Sequence, residues 1–470
     1  MTTALVRDLL LSRIGSHGLV LPYLLAFSET YGPVFRVLTA GKEATYVTSP
    51  SLIAAVYRDA KTFEFSTIRL DFSLNVFHVP RVLVESSYMT NEYFALHHRA
   101  LAPTNVPSLL SRYSHFAHTQ LLDALSRFQN QSLGLQEFII IPAYVAAAYT
   151  IFGPEFPAKE TFGKFRTFDV KFPLIAAGTP KFLLREAHNA WDEVIGMVQE
   201  FLKTVDPERE DLSELMKITF QAGREAGWDE YGLATMLSSD LWALEANAIW
   251  ALYWVIALML DQPHGLTPLI SELDSALSTW TSQNPTTPLT SHTFKQYIDS
   301  SPLPLLTSAI NEALRVSTST FSIRRVVEPT RLGGYTFEKD DVLICSTRSV
   351  HLDEEVHLDA GKFVVDRYVT ENGDGDGKNA NRRAGSGVKD GKKVPNHSMP
   401  FGGGVSMCEG RHFALGELKI YLAMLLTYVD IQPDPKSSAR PSFNMGRLGG
   451  GIMPPVGDVQ VIIRKRERHI

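Results

Sequence analysis

The chain has 470 residues, a net charge of −6, and 44% hydrophobic against 20% charged residues, a globular composition with no basic tract for nucleic acid. Its two cysteines, Cys345 and Cys408, exclude both a disulfide framework and a Cys/His zinc spacing, and a lone functional thiol fits a reducing compartment. Arg7, Asp8, Arg13 and His17 interrupt the apolar N-terminus, so no signal or transmembrane anchor is expected within residues 1–27.

The alternating, β-branched run VFRVLTAGKEATYVTS reads as a short hairpin, followed by a helix that starts near Ser51. From about residue 108 to residue 320 the pattern is helical, punctuated by Pro/Gly/Ser/Thr clusters at 261–268 and 283–291. The longest apolar stretch, 241–260, has the length of a membrane span. Glu245 and Asn247 lie inside it and no basic flank orients it, so a buried central helix is expected. Strand-like pieces return at 321–327, 336–337 and 342–345, giving a mostly α, mixed α+β protein. Residues 371–397 are polar and rich in Gly, Asp and Lys, which predicts a mobile surface insertion.

The most informative segment is PFGGGVSMCEGRHFA, residues 400–414. It places one cysteine in a glycine-rich loop that leads straight into an apolar helix. An axial thiolate ligand of haem iron needs such a loop: glycines where side chains would strike the macrocycle, and peptide N–H groups able to hold the sulfur's charge. The triple glycine lacks the Lys-Ser/Thr of a phosphate loop, and Gly446, Gly449 and Gly451 lack the strand-to-helix context of a dinucleotide site.

Upstream, Glu312 and Arg315 share a helix face in TSAINEALRVS. The same spacing at Glu328 and Arg331 is spoiled as a helix by Pro329. Within the central helix, Ala243, Asn247, Trp250 and Ala251 share a face. Glu245 lies two residues from Asn247, about 200° around the axis, and cannot join it.

Together these motifs resemble the cytochrome P-450 superfamily of haem-thiolate enzymes. The resemblance is good over residues 240–465 and unspecific before residue 230. It implies a mostly α P-450 fold in one domain, 1–470, with haem b between the central helix and the cysteine-loop helix. Cys408 would be the axial iron ligand, and Phe401, Gly402, Gly404, Gly410 and Ala414 would shape the haem-binding loop. Glu409 departs from the usual proline and should alter only the stiffness of the turn. Glu312, Arg315 and Arg367, the last in Asp366-Arg367-Tyr368, would form the family's buried network that braces the loop. Arg324 is the expected partner of a haem propionate, with Arg325 as the alternative; Ser406 occupies a position that often carries a cation, and Arg99 and His98 are further candidates.

The family's oxygen-activating turn corresponds to Ala243, Leu244, Glu245, Ala246 and Asn247, and both proton-handling positions are altered. Ala243, Ala246 and Asn247 are the expected catalytic positions, with an amide in place of the usual hydroxyl. This turn, the Asp366-Arg367-Tyr368 form and GRLGGGIMPP at 446–455 look like the group containing sterol 7α-hydroxylases and prostacyclin synthase.

The resemblance therefore implies a monooxygenase acting on an apolar polycyclic substrate such as a sterol or terpenoid. Segments 72–84, 317–323 and 449–453 should cover that substrate. The implied partners are an NADPH-cytochrome P-450 reductase, with cytochrome b5 as a second donor, and the protein is expected to be monomeric. Basic residues of 371–397 offer a docking face for an acidic partner. The expected place is the cytoplasmic face of the endoplasmic reticulum membrane if an N-terminal anchor has been removed, and the cytoplasm otherwise. The alternatives are a redox-neutral rearrangement enzyme of the prostacyclin-synthase type, motivated by Asn247, and a non-enzymatic haem sensor or carrier.

Overall fold

The 31-residue helix Glu230–Leu260 is about 46 Å long and packs against the helices Leu135–Phe152, Arg185–Leu202, Pro304–Ser317 and Arg411–Tyr428. The coordinates come from a computed structural model and describe residues 4–6, 27–39, 42–369, 387–389, 391–394, 397–436 and 440–467. Asp229 starts the central helix by accepting a hydrogen bond from the Gly232 backbone N–H at 2.8 Å, satisfying one of the donors a helix N-terminus leaves free. The run of Ala, Leu, Ile and Trp that follows is apolar all round, which is stable in water only when other elements enclose it. Trp250, Tyr253, Trp254 and Ile256 are accordingly buried.

Leu135–Phe152 and Glu230–Leu260 are both long and apolar enough to cross a membrane, but 78% and 67% of their apolar windows are buried inside the protein. The expected central core helix is therefore the one observed. Helices make up 57% of the structure, with small sheets beside them.

The largest sheet has seven strands. Its path runs Ala4–Val6, Val34–Thr39, Lys42–Val47, Val342–Ser346, Thr318–Val326 and Gly450–Ile452, with Phe63–Glu64 pairing the far end of Thr318–Val326. The expected hairpin is Val34–Thr39 against Lys42–Val47, and the helix after it begins at Pro50. The strand expected from residue 321 starts earlier, at Thr318, with no loop after the helix Pro304–Ser317. Ser317–Thr320 is a run of hydroxyls in which Ser317 returns its hydroxyl to the Ala313 carbonyl and Thr318 to Thr320 pair with Gly450–Ile452.

The polar stretch 371–397 differs from expectation where it is described. Residues 371–386, 390 and 395–396 lie outside the described residues. At its end, Val388–Lys389 pairs antiparallel with Lys392–Lys393, Lys389 forms an ion pair with Asp353, and Val394 is buried. This end is not a loose surface loop, because an apolar side chain and an ion pair dock it.

Candidate functional site

The cysteine loop folds around Tyr57. Gly402 and Gly404 have φ of +71° and +62°, the left-handed region that favours glycine. A Cβ at Gly403 would fall 2.4 Å from the Tyr57 ring, and one at Gly404 would fall 2.7 Å from the Tyr57 carbonyl oxygen. The loop closes through Gly402 N–H to Met399 O at 3.1 Å and Cys408 N–H to Phe401 O at 3.0 Å. Ala414 N–H then bonds Gly410 O at 2.8 Å, starting the helix Arg411–Tyr428.

Cys408 is exposed, open on one side and crowded by protein on the others. That crowding raises its thiol above the ordinary cysteine value, opposed by the backbone N–H groups of Gly410 and Arg411 aimed at the sulfur. These donors and the helix start behind them favour the thiolate once a cation sits opposite it. Cys345 is fully buried, with its thiol pushed up to about 12 by desolvation. Cys408 is thus the accessible thiol of the two.

Glu312, Arg315 and Arg367 come together in a fully buried network. Arg315 donates from Nε and Nη2 to the two Glu312 carboxylate oxygens at 2.8 Å each, and Arg367 Nε donates to Glu312 Oε1 at 2.8 Å. The remaining guanidinium N–H groups go to the carbonyls of His351, Ala360, Lys362 and Leu358. Removing one member of such a cluster leaves a buried charge unpaired, at a cost of about 3–5 kcal/mol.

The route from this network to the cysteine loop passes through His351, a residue with no sequence signal of its own. Arg315 bonds its carbonyl, its Nε2 accepts the Met399 N–H at 2.9 Å, and Met399 O accepts Gly402 N–H. Accepting at Nε2 places the imidazole proton on Nδ1. Burial, followed by His357 and the nearby guanidinium groups, holds His351 well below the ordinary histidine value.

Arg324 is buried and points at the loop. It donates to Ser406 Oγ at 2.5 Å, to Gly403 O at 3.2 Å and to Ser322 Oγ at 3.1 Å, with its guanidinium 5.3 Å from the ring centres of both Tyr57 and Phe65. Among the described residues no carboxylate pairs with it. A buried guanidinium short of an anion, next to the position two before the cysteine, fits a haem carboxylate. Arg325 goes the other way, to Asp71 at 3.1 Å. Arg99 and His98 are exposed on the helix Phe94–Ala100. The arginine from the N-terminal half that reaches the loop is instead Arg69, 3.7 Å from Glu409 and stacked on Phe94 at 3.8 Å.

On the central helix Ala243 is exposed and Asn247 half-buried, whereas Ala246, Trp250 and Ala251 are buried. The expected shared face is therefore shorter than the sequence implies, because Trp250 is covered by the Arg166 guanidinium, 4.4 Å from its ring, and by Tyr253. Ala246 turns its methyl into the core and gives its carbonyl to Arg447 at 3.1 Å. Glu245 is fully buried away from Asn247, and among the described residues neither of its oxygens has a partner. Desolvation, then Glu417, raises it well above the ordinary glutamate value.

Asn247 Oδ1 accepts the Ile452 N–H at 2.8 Å, and Arg447 also forms a buried ion pair with Asp169 at 2.5 Å. Asp169 stands in no recognisable motif, and Arg447, although part of GRLGGGIMPP, carries no sequence signal of the side chain it would pair with. Strand Thr318–Val326 ties the two halves of the site: its first residues pair with the Gly450–Ile452 strand beside Asn247, and Arg324, about 20 Å along it, binds the cysteine loop. An aromatic cluster meets the central helix at Trp242: Phe77 contacts Phe168, Phe172, Trp191 and Trp242, and Phe72 contacts Phe172.

A thiol on a glycine loop, a buried network behind it and an unneutralised arginine beside it define the class, and comparison with known proteins gives the family. The Cytochrome P450 family model matches residues 9–459, and the chain belongs to that family. It is a haem-thiolate oxidoreductase of the cytochrome P450 monooxygenase class, with haem b as its cofactor. Among curated relatives, cholesterol 7-alpha-monooxygenase of Cricetulus griseus is 26% identical, covering 95% of this chain and 89% of the relative. Prostacyclin synthase of Rattus norvegicus is 25% identical over 94% and 89%, and cytochrome P450 7B1 of Mus musculus 27% over 93% and 84%. The crystal structure of the cytochrome P450DA heme domain superposes with a TM-score of 0.76 at 16% identity, covering 100% of this chain and 99% of that one.

Proposed function

We propose that the protein hydroxylates an apolar polycyclic substrate of sterol or terpenoid type, with Cys408 as the thiolate that would hold its haem iron. The observation that carries this reading is the pairing of an accessible Cys408 with the buried, carboxylate-free guanidinium of Arg324. Phe401, Gly402, Gly404, Gly410 and Ala414 would shape the loop against the haem, Arg324 and Ser406 would hold a propionate, and Glu312, Arg315 and Arg367 brace the loop through His351 and Met399. The haem, when bound, supplies the redox chemistry, using two electrons, two protons and O2 to place one oxygen in a C–H bond and release the other as water.

The chain's own residues set what reaches that chemistry. The cluster of Phe72, Phe77, Phe168, Phe172 and Trp242 favours a rigid apolar ring system and excludes water. Ala243 leaves room beside the helix, and Asn247 offers hydrogen bonds at the same edge. The sterol class draws support from cholesterol 7-alpha-monooxygenase among the relatives. Electrons come from an NADPH-cytochrome P450 reductase, with cytochrome b5 as a second donor, to a monomeric, one-domain protein. Its site of action is the cytoplasmic face of the endoplasmic reticulum membrane.

One observation favours a second reading. An amide at Asn247 in place of a hydroxyl is a poor proton relay but a good partner for a peroxide oxygen, and prostacyclin synthases are among the relatives. Incubation with a microsomal reductase, candidate sterols and terpenoids, and isotopically heavy O2 separates the two. A product heavier by one labelled oxygen, formed only with NADPH, is expected. An unlabelled isomer, formed equally without the reductase, assigns the rearrangement.

A further inference from the structure

We propose that the loop from Arg447 to Met453 is a positioning element that locks Asn247 as a one-way hydrogen-bond donor toward the haem side. The proposal rests on the reading of Asn247 as a group facing that chemistry. An asparagine amide has two faces, a carbonyl that accepts and an NH2 that donates. In this protein the acceptor is already used.

The Ile452 N–H lies 2.8 Å from Asn247 Oδ1. A backbone N–H can only donate, so the atom facing it must be oxygen and the amide cannot be flipped without setting two donors against each other. What remains for the open side is the Nδ2 pair of N–H groups. Asn247 therefore addresses acceptors on the cleft side and offers them no lone pair.

The approach that makes this lock possible depends on Gly451. Its φ is +103°, and a Cβ built there would stand 2.1 Å from Asn247 Oδ1 and 2.9 Å from Cγ. No side chain fits, so the strand Gly450–Ile452 can press its backbone against the amide only with glycine at this position.

The loop is itself laced to the central helix on both sides of this contact. Arg447 Nη2 bonds the Ala246 carbonyl at 3.1 Å, and Arg447 Nη1 pairs with Asp169 at 2.5 Å. Further along, Trp254 Nε1 bonds Met453 O at 2.6 Å, while Met453 N–H bonds Ser317 O at 3.0 Å. Contacts at positions 246, 247 and 254 of one helix hold the loop in register, so the amide cannot rotate unless the loop lifts. Asp169 belongs to the helix Ala158–Ala176 that carries Phe168 and Phe172 of the aromatic cluster. Through Arg447 the substrate cover and the amide lock share one anchor.

Two readouts on the holoenzyme test this, neither of them turnover. The first is amide hydrogen exchange across residues 449–453. Asn247→Leu removes the acceptor and should speed exchange at Ile452 on the order of fivefold, the loss of one ordinary hydrogen bond. Asn247→Asp keeps an acceptor oxygen of the same shape and should restore the protection. The second is the C–O stretching band of the reduced carbon monoxide complex, which a nearby donor lowers. Asn247→Leu should move the band to higher wavenumber, and Gly451→Ala should move it the same way or split it, because the new methyl displaces the amide.

A band unmoved by Asn247→Leu overturns the underlying reading that Asn247 faces the haem side. A band that moves, with Ile452 exchange unchanged in the Leu variant, overturns the lock and leaves that reading standing. Should Gly451→Ala fail to fold, the exchange comparison of the Leu and Asp variants at Asn247 decides the matter alone.

Discussion

Arg324 is the residue whose environment says most about its task. A fully formed guanidinium is buried with two serines, two carbonyls and two aromatic rings, and no carboxylate among the described residues balances it. A buried charge without an anion is costly, so the proposed haem carboxylate would stabilise it. Arg324→Leu should therefore lower haem retention, with a rise of about tenfold in the rate at which apomyoglobin strips haem from the protein, whereas Arg325→Leu, which loses only an exposed pair to Asp71, should leave that rate near wild type. Equal losses in the two would remove the propionate assignment. The sequence alone left these two arginines as alternatives, since neighbouring residues on a strand point to opposite faces and nothing in their order says which faces inward. At Asn247 the chemistry predicts that a hydroxyl would move protons better than the amide does. Asn247→Thr should fold normally and shift the fraction of electrons lost as hydrogen peroxide, measured as peroxide formed per NADPH consumed; an unchanged fraction would mean that the amide handles no protons.

At the scale of elements, the helix Pro304–Ser317 and the segment around Arg367 form one unit with the cysteine loop. Glu312 holds both arginines, Arg315 holds the His351 carbonyl, and the His351 ring holds Met399 at the mouth of the loop. Glu312→Ala should yield little soluble holoprotein, because two buried guanidinium groups lose the carboxylate they share. His351→Leu should be milder, lowering stability by about 1–3 kcal/mol through the orphaned Met399 N–H. Denaturant unfolding ranks the two, and a stable Glu312→Ala protein would contradict the bracing role. The Glu312/Arg315 pair was readable because i,i+3 spacing is local. The links through His351, Arg447 and Asp169 were not, since each joins residues dozens to hundreds of positions apart through one side chain and leaves no periodic trace. Trp250 was misplaced for a related reason: helical phase puts it on the face of Asn247, but Arg166 arrives from elsewhere in the chain and covers it.

The molecule as a whole buries ionisable groups of both kinds, and their linkage to pH has a definite sign. His351 is held well below its ordinary value by burial, and burial takes His97 and His357 down to about 4. Unfolding lets these imidazoles take up protons, so stability should fall as the solution is acidified through the ordinary histidine range. Glu245, Glu417 and Asp240 are displaced the opposite way, raised well above their ordinary values by burial. Their neutral forms are stabilised by folding, and that contribution is lost as pH rises above the ordinary carboxyl range. Glu245→Gln, which removes the acid and supplies a donor toward Glu417, should raise stability by on the order of 1 kcal/mol at neutral pH and by less near pH 5. Thermal unfolding across pH measures it, and an equal gain at both would show that Glu245 is not buried as an acid. The global outline, a long apolar helix facing a cysteine loop with small sheets beside it, was visible in composition and motif because those signals are local. The sheet order, which brings Gly450–Ile452 to the strand after Ser317, depends on pairings more than a hundred residues apart and becomes visible only in the fold.

The central claim is that Cys408, on its glycine loop, is the thiolate that holds the haem iron. The most direct measurement is the carbon monoxide difference spectrum of the reduced holoprotein, wild type against Cys408→Ala, with haem content quantified in both. The account predicts a thiolate-type band in the wild type that is absent from the variant. The same band persisting in a haem-loaded Cys408→Ala protein would contradict it.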